Sequence, residues 1–267
     1  MKYRFFLAIA LSLTSSAQTV AFKLHNNYLI VTRCSIANVH DLVALIDTGA
    51  SETAIDMRVA KRLHLPTTDD TATFGTRSAN IAALSIPDLV IGELHMPTLS
   101  GIAIDGSAVE HQLGVHIDVI IGMDVLEQKS FMIDYKAERI TFGSAPRFAH
   151  AALLQRGNHL ALVPVLLGKT RLVLHVDTGL NGILIYGGRI PFSELSLNST
   201  SVTPLGGKSI QMASVPLRVG NWEQRQAAVA VTDDIPQGAP FDGLLGTRAL
   251  GARRLSFDWD LGTMSWE

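Results

Sequence analysis

The chain has 267 residues and a formal net charge of −2, with 47% hydrophobic and 17% charged residues. This length allows one large domain or two smaller lobes, and the apolar content is sufficient for a sizeable core. The near-neutral charge argues against nucleic-acid binding, and the many apolar residues argue against intrinsic disorder. The single cysteine, Cys34, excludes an intrachain disulfide and a zinc site built from several cysteines.

The first residues have the pattern of an export signal. Lys2 and Arg4 precede an apolar run at 5–13, and small residues follow at 15–17. This order is typical of a secretory signal peptide, and the apolar run is too short to cross a bilayer. We therefore predict a signal peptide over residues 1–17 and an exported protein, periplasmic or secreted, with no stable membrane anchor. The alternatives are an N-terminal anchor or a buried strand.

Short strands and turns dominate the pattern that follows. Residues 28–46 read as an apolar strand, a polar turn and a second apolar strand. The second strand ends at Asp47-Thr48-Gly49, where the glycine permits a positive φ and a close backbone approach. The spacing of apolar residues at 57–65 predicts a short helix.

The first half ends with further strand signals. Residues 119–122 read as an apolar strand that ends at a glycine, and a helix could begin within 122–128. Residues 131–142 read as a hairpin with its turn at 136–138. The change of pattern and the proline at residues 144–157 predict a linker.

The second half of the chain repeats the first. Residues 158–179 align without a gap to residues 28–49, at an offset of 130, so that Asp-Thr-Gly recurs as Asp177-Thr178-Gly179. Residues 242–266 align in the same way to residues 118–142, at an offset of 124. A repeat of this length predicts two related lobes, which we place at residues 22–143 and 158–267.

Two such turns can bring two carboxylates together at a pseudo-twofold axis. Carboxylates a few ångströms apart cannot both ionise cheaply, so they share one proton. The ionised partner can act as a general base toward water, and the protonated partner can polarise a carbonyl and later protonate a leaving amine. The alternative is that Asp47 and Asp177 only stabilise turns in a repeated β scaffold.

These motifs resemble those of the retropepsin-like aspartic peptidases. ALIDTGAS (residues 44–51) and VIIGMDVL (119–126) resemble the paired motifs of that family. LHVDTG (174–179) and GLLGTRAL (243–250) make the chain similar to a fused, two-lobed version. The resemblance implies a mostly β fold, with two acid-protease-type β-barrel lobes, a few short helices and a cleft between the lobes. It also implies a monomeric aspartic endopeptidase that hydrolyses polypeptides without a cofactor.

The same resemblance implies a role for each motif residue. Asp47 and Asp177 would be the catalytic dyad, and the two threonines would cross-link the turns through the backbone of the opposite lobe. The strands that end at the later glycines would support the aspartates. The supporting residues are Thr48, Gly49, Thr178, Gly179, Ile121, Gly122, Leu245 and Gly246. A flap would cover an extended substrate, and Phe74 and Gly75 are the candidates for its tip.

One departure from the family keeps a second function open. Leu180-Asn181 follows the second turn, where a small or hydroxylated residue is commoner, and Leu180 cannot support a carboxylate through a hydroxyl. The alternative is a weak or inactive protease-like module that binds an extended peptide or a protein partner. A homodimer that uses one aspartate per chain is disfavoured because both halves carry the motif. The histidines lack the spacing of a helical zinc site, so no metal is expected.

Overall fold

The computed structural model describes residues 17–74, 77–190, 196–202, 210–233, 236 and 238–267. Over these residues the chain is mostly β, with 22 strands, three short α-helices and one 3₁₀ helix. The predicted fold class is confirmed. None of the described helices is long and apolar enough to cross a membrane.

The first half of the chain builds an eight-stranded sheet. Its strands, in spatial order, are β2 (Lys23–His25), β3 (Leu29–Ile36), β4 (Val39–Ile46), β9 (Val119–Ile121), β5 (Ala54–Asp56), β8 (Leu94–Ile104), β7 (Arg77–Ile91) and β6 (Thr67–Phe74). Strand β3 also pairs with β7, so the sheet closes on itself. Strand β9 runs parallel to β4, and β8 runs parallel to β5. The α-helices of this half are α1 (Met57–Arg62), α2 (Ser107–Leu113) and α3 (Met123–Leu126).

The second half repeats this topology strand for strand. The order is β13 (Gln155–Gly157), β14 (Leu160–Leu167), β15 (Thr170–Asp177), β20 (Gly243–Gly246), β16 (Ile183–Tyr186), β19 (Trp222–Thr232), β18 (Ile210–Val219) and β17 (Ser196–Val202). Strand β14 pairs with β18 as β3 pairs with β7, and β20 runs parallel to β15 as β9 does to β4. The sequence repeat is therefore a repeat of the fold.

A third, six-stranded sheet joins the two halves. Its order is β1 (Gln18–Ala21), β11 (Arg139–Phe142), β10 (Phe131–Asp134), β21 (Arg254–Asp258), β22 (Thr263–Trp266) and β12 (His150–Leu153). The central pair is β10 with β21, where Phe131 stands opposite Phe257 with stacked rings 4.7 Å apart. Both rings are fully buried, and each contributes about 1.5–3 kcal/mol of burial free energy.

The strand predictions follow from alternating burial. In β14 every second residue from Ala161 to Leu167 is buried, and the residues between them are half-buried. One continuous apolar core includes residues of both halves. The predicted hairpin at 131–142 is confirmed as β10 and β11, because its apolar alternation and its turn agree.

The helices differ in how well the sequence predicts them. Helix α1 begins after Asp56, whose carboxylate accepts a hydrogen bond from the Arg58 N–H at 2.6 Å. It ends at Arg62, three residues before the predicted end, and His64 has a φ of 52°. Helix α2 was not predicted, because its N-cap, Gly106, has no capping side chain.

Strands also lie outside the predicted lobes, both inside the predicted linker and before the predicted start of the first lobe. Residues 144–157 contain β12, which pairs with β22, and β13, which pairs with β14. Strand β1 begins at Gln18, before the predicted start of the first lobe, and pairs with β11. Residues 1–16, and with them almost all of the predicted signal peptide, lie outside the described residues.

Candidate active site

Each Asp-Thr-Gly turn lies at the end of a central strand. Asp47 follows β4, and Asp177 is the last residue of β15. The parallel neighbour holds each strand end: the Asp47 N–H donates to the Ile121 carbonyl at 3.0 Å, and Asp177 is in register with Gly246. Ile121 and Leu245 are fully buried, so the neighbouring strands fix the two aspartates from below.

Thr48 and Thr178 cross-link the two turns. The Thr48 N–H donates to Thr178 Oγ1, and the Thr178 N–H donates to Thr48 Oγ1, both at 3.0 Å. The Thr48 hydroxyl then donates to the Val176 carbonyl at 2.9 Å, and the Thr178 hydroxyl donates to the Ile46 carbonyl at 2.8 Å. Both threonines are buried, so four hydrogen bonds shielded from water join the halves at this point.

Gly49 and Gly179 are required by space. A Cβ on Gly49 would lie 2.6 Å from Asp177 Cγ, and a Cβ on Gly179 would lie 3.1 Å from Asp47 Oδ1. Each glycine therefore faces the carboxylate of the opposite turn. The expectation of a positive φ is wrong at both positions, because neither is among the glycines with positive φ. The close approach to the opposite carboxylate, and not a positive φ, excludes a side chain at both positions.

The structure places the two carboxyl groups side by side, because a Cβ on Gly179 would lie 3.1 Å from Asp47 Oδ1 and 3.2 Å from Asp177 Oδ1. Burial raises the pKa of Asp47, while contacts with the N–H groups of Gly49, Gly179 and Ala50 favour its ionised form. Burial raises the pKa of Asp177 well above its ordinary value, and the charge of Asp47 raises that pKa further. Because each charge opposes the other, the two carboxyl groups titrate as a pair that shares one proton.

The comparisons with known proteins agree with this geometry. Residues 32–125 match the family model for aspartyl proteases. The matched range contains the first Asp-Thr-Gly turn, the supporting strand β9 and most of α3. The match supports a relation of this part of the chain to aspartyl proteases, which are hydrolases. The second half lies outside the matched range. A comparison with curated proteins gave no match.

Gly122 and Gly246 allow the supporting strands to pack closely against the chain that follows each Asp-Thr-Gly turn. A Cβ on Gly122 would lie 2.6 Å from the backbone carbon of Glu52, and a Cβ on Gly246 would lie 2.3 Å from the Leu180 carbonyl oxygen. The Met123 N–H at the start of α3 donates to the Ala50 carbonyl at 2.8 Å. The supporting motif and the Asp-Thr-Gly turn therefore form one packed unit.

Asp124 and Thr53 form a hydrogen-bonded clamp in the first half that the sequence did not predict. Both carboxylate oxygens of Asp124 accept hydrogen bonds from Thr53: Oδ2 from the N–H at 2.9 Å and Oδ1 from the hydroxyl at 2.7 Å. Thr53 Oγ1 also accepts from the Gly122 N–H at 3.2 Å. At the repeat offsets the counterparts are Ile183 and Arg248, which cannot form this clamp. The surroundings of Asp47 and Asp177 therefore differ.

Other aspartates of the repeat have matched structural positions. Asp118 accepts a hydrogen bond from the Val43 N–H and Asp242 from the Val173 N–H, both at 2.8 Å. Asp134 and Asp258 accept hydrogen bonds from N–H groups in the turns of their hairpins. These hydrogen bonds give the four carboxylates structural roles in the strands and turns.

The described residues include only part of the predicted flap. Phe74 ends β6 and stands opposite Arg77 of β7, so a hairpin is present at the predicted place. Gly75 lies outside the described residues, and the flap remains a prediction.

Two further residues near the dyad had no sequence signal. Tyr28 is half-buried, and both burial and the charge of Asp177 raise the pKa of its phenol. His175 lies two residues before Asp177 and is 2% exposed.

Within the described part of the chain no group of three metal-ligating side chains comes together. Cys34 is buried in β3, and burial raises the pKa of its thiol to about 12.

Proposed function

We propose that the protein is an aspartic endopeptidase whose catalytic residues are Asp47 and Asp177. The observation that carries the proposal is the close approach of the two carboxyl groups at turns that are joined by the reciprocal hydrogen bonds of Thr48 and Thr178. A pair of turn-forming aspartates would not require each glycine to leave room for the opposite carboxylate. The match of residues 32–125 to aspartyl proteases supports the same reaction class.

In this mechanism Asp47 acts as the general base and Asp177 as the general acid. Ionised Asp47 accepts a proton from a water molecule, whose oxygen attacks the carbonyl carbon of the scissile peptide bond. Protonated Asp177 donates its proton to the carbonyl oxygen as the tetrahedral intermediate forms. As the C–N bond breaks, the proton held by Asp47 passes to the leaving nitrogen, and Asp177 recovers its proton from the collapsing hydroxyl. No covalent intermediate and no metal ion take part in these steps.

The substrate of this mechanism is a polypeptide in an extended conformation. An extended peptide can form main-chain hydrogen bonds with strand edges, as an added strand does. Both carboxylates come from one chain, so a monomer suffices. The N-terminal sequence pattern supports export, to the periplasm or to the exterior, without a stable anchor.

The second candidate is a binding module without catalytic activity. Leu180 provides no hydroxyl to the Asp177 carboxylate, which is the feature that favours this alternative. However, the backbone N–H of Leu180 contacts that carboxylate and lowers its pKa. The backbone thus supplies a donor that the side chain lacks, and this contact supports the catalytic proposal.

The decisive test is hydrolysis of a mixed peptide library by the purified chain between about pH 3 and pH 8. Asp47→Asn and Asp177→Asn should each reduce kcat/KM by about 10³-fold or more, because each removes one of the two proton-transfer groups. Asp260→Asn is the matched control, since Asp260 is exposed in the β21–β22 turn. Its activity should equal that of the wild type.

Two outcomes would decide against the proposal. If either dyad variant cleaves as fast as the wild type, the shared-proton mechanism is wrong. If the folded wild type binds peptides and cleaves none of them across the pH range, the binding module is the better description.

A further inference from the structure

The second Asp-Thr-Gly turn lacks the clamp that supports the first. In the first half, Asp124 and Thr53 tie the chain after the turn to helix α3. The repeat places Arg248 and Ile183 at these positions, and neither side chain can form the same hydrogen bonds. A different contact therefore holds the corresponding segment of the second half.

A tyrosine of the first half makes this contact. The Tyr135 hydroxyl forms a hydrogen bond of 2.7 Å with Thr247 Oγ1, and both residues are buried. Tyr135 follows β10, whereas Thr247 begins the 3₁₀ helix that follows β20. The Tyr135 N–H also donates to the Arg253 carbonyl at 2.9 Å. One residue of the first half thus binds both ends of a short segment of the second.

Arg248 adds a further contact to the same tyrosine. Its guanidinium carbon lies 4.9 Å from the centroid of the Tyr135 ring. A guanidinium over an aromatic face is attracted by the negative potential of that face. The side chain that stands where the first half has Asp124 therefore packs on Tyr135 instead of forming a clamp within its own half.

Thr247 is the neighbour of the glycine that supports Asp177. Gly246 is in register with Asp177 in the parallel pair of β15 and β20, and its N–H donates to the Gly182 carbonyl at 2.7 Å. The approach of Gly246 to the chain after the turn is so close that a Cβ would lie 2.3 Å from the Leu180 carbonyl oxygen. A displacement of Thr247 would therefore move the strand end that fixes Asp177.

The contact between Tyr135 and Thr247 has no equivalent at the first turn. At the repeat offset of 124, their counterparts are Trp259 and Met123. Methionine has no hydroxyl, and among the described residues Trp259 Nε1 has no hydrogen-bond partner. Because a tryptophan and a methionine are buried at the matching positions, the fold does not require a hydrogen-bonded pair there.

We propose that Tyr135 is a positioning residue for Asp177 that acts through its hydrogen bond with Thr247. The inference rests on the proposed function, and it gives each turn its own support: a clamp within the first half for one, and a contact across the halves for the other. The Tyr135 hydroxyl contacts Thr247 rather than the dyad, so its effect on hydrolysis passes through the chain beside Asp177.

The phenol keeps its proton over the whole assay range. Burial raises the pKa of Tyr135 to about 12, against the opposing effects of Thr247 and of the Arg248 charge. The hydrogen bond is therefore present from about pH 3 to pH 8, and its loss should lower the rate across that range.

The test is a double-mutant cycle on the kcat and KM of peptide hydrolysis. Tyr135→Phe removes only a hydroxyl and keeps the ring beside Arg248, and Thr247→Val removes the partner hydroxyl. Each should lower kcat by about tenfold with little change in KM, because Asp177 is then less well placed on the bound substrate. The double variant should lose no more than either single variant. Thr247→Ser, which keeps the hydroxyl, should retain most of the wild-type kcat.

A control separates positioning from a loss of stability alone. Ser265→Ala removes a buried hydroxyl that binds the Phe148 N–H and the Pro146 carbonyl at the third sheet. Its urea midpoint should fall while its kcat, measured where circular dichroism shows the variant folded, stays at the wild-type value.

The proposal is wrong if Tyr135→Phe lowers the urea midpoint and leaves kcat unchanged, as the control does. It is also wrong if the losses in kcat of the two single variants add in the double variant. A wild type that is inactive at every pH overturns the proposed function instead. The same cycle on urea unfolding then decides whether Tyr135 supports the second half through Thr247.

Discussion

At the scale of single residues, the two Asp-Thr-Gly glycines predict a graded loss of activity. Gly49→Ala should reduce kcat/KM by at least about 100-fold, because the new methyl group would lie 2.6 Å from Asp177 Cγ. Gly179→Ala should reduce it by only about tenfold, since its nearest contact is 3.1 Å. Peptide hydrolysis near the pH optimum measures both effects, with circular dichroism as the control for folding. Equal losses would contradict the difference in spacing.

Residue types in this site were predictable, whereas several of their reasons were not. Two reasons were expected for Gly49 and Gly179: a positive φ and a close approach of the backbone. Only the close approach is confirmed. His175 shows the limit more sharply. It is 2% exposed, and its ring lies 5.1 Å from that of Phe241, which is far along the chain. A packing contact between distant residues leaves no local pattern.

At the scale of elements, the clamp between Asp124 and Thr53 predicts a stability effect in the first half. Asp124→Ala should lower the free energy of unfolding by about 2–3 kcal/mol, because the Thr53 N–H and hydroxyl would lose their acceptors. Asp124→Asn should cost about 1 kcal/mol, since an amide keeps one acceptor oxygen. Urea unfolding measures both, with Asp260→Asn as the exposed control. No difference between the alanine and asparagine variants would contradict the clamp.

Elements with local signals were predictable, and those that depend on distant partners were not. The hairpin of β10 and β11 follows from its alternation and its turn. Strand β12 is short, and it exists because β22, far along the chain, provides its partner. Helix α2 lacks a capping side chain, and the glycine at its C-terminus, Gly114, has a φ of 68°. The predicted linker hides two strands because pairing across the sheet outweighs local propensity.

At the scale of the whole molecule, the repeat in the sequence predicted the architecture. Two copies of one topology, each closing on itself, meet at the third sheet and at the two Asp-Thr-Gly turns. The copies differ near the site: Asp124 and Thr53 support one turn only, and His175 stands where the first half has Leu45. The aspartate pair thus joins two similar halves through unequal surroundings, and burial with the charge of Asp47 raises the pKa of Asp177 well above its ordinary value.

This shared proton predicts a cost to the whole fold near neutral pH. Burial and the charge of Asp47 raise the pKa of Asp177, so its stabilising contribution is complete below its ordinary value of 3.8 and is lost as the pH rises through the folded value. Asp177→Asn, which cannot ionise, should therefore raise the free energy of unfolding by about 1–3 kcal/mol near pH 8. The gain should vanish near pH 4, where wild-type Asp177 is protonated in the folded state. Urea unfolding across this range measures the effect, with Asp260→Asn as the control, and a gain that is independent of pH would contradict the shared proton.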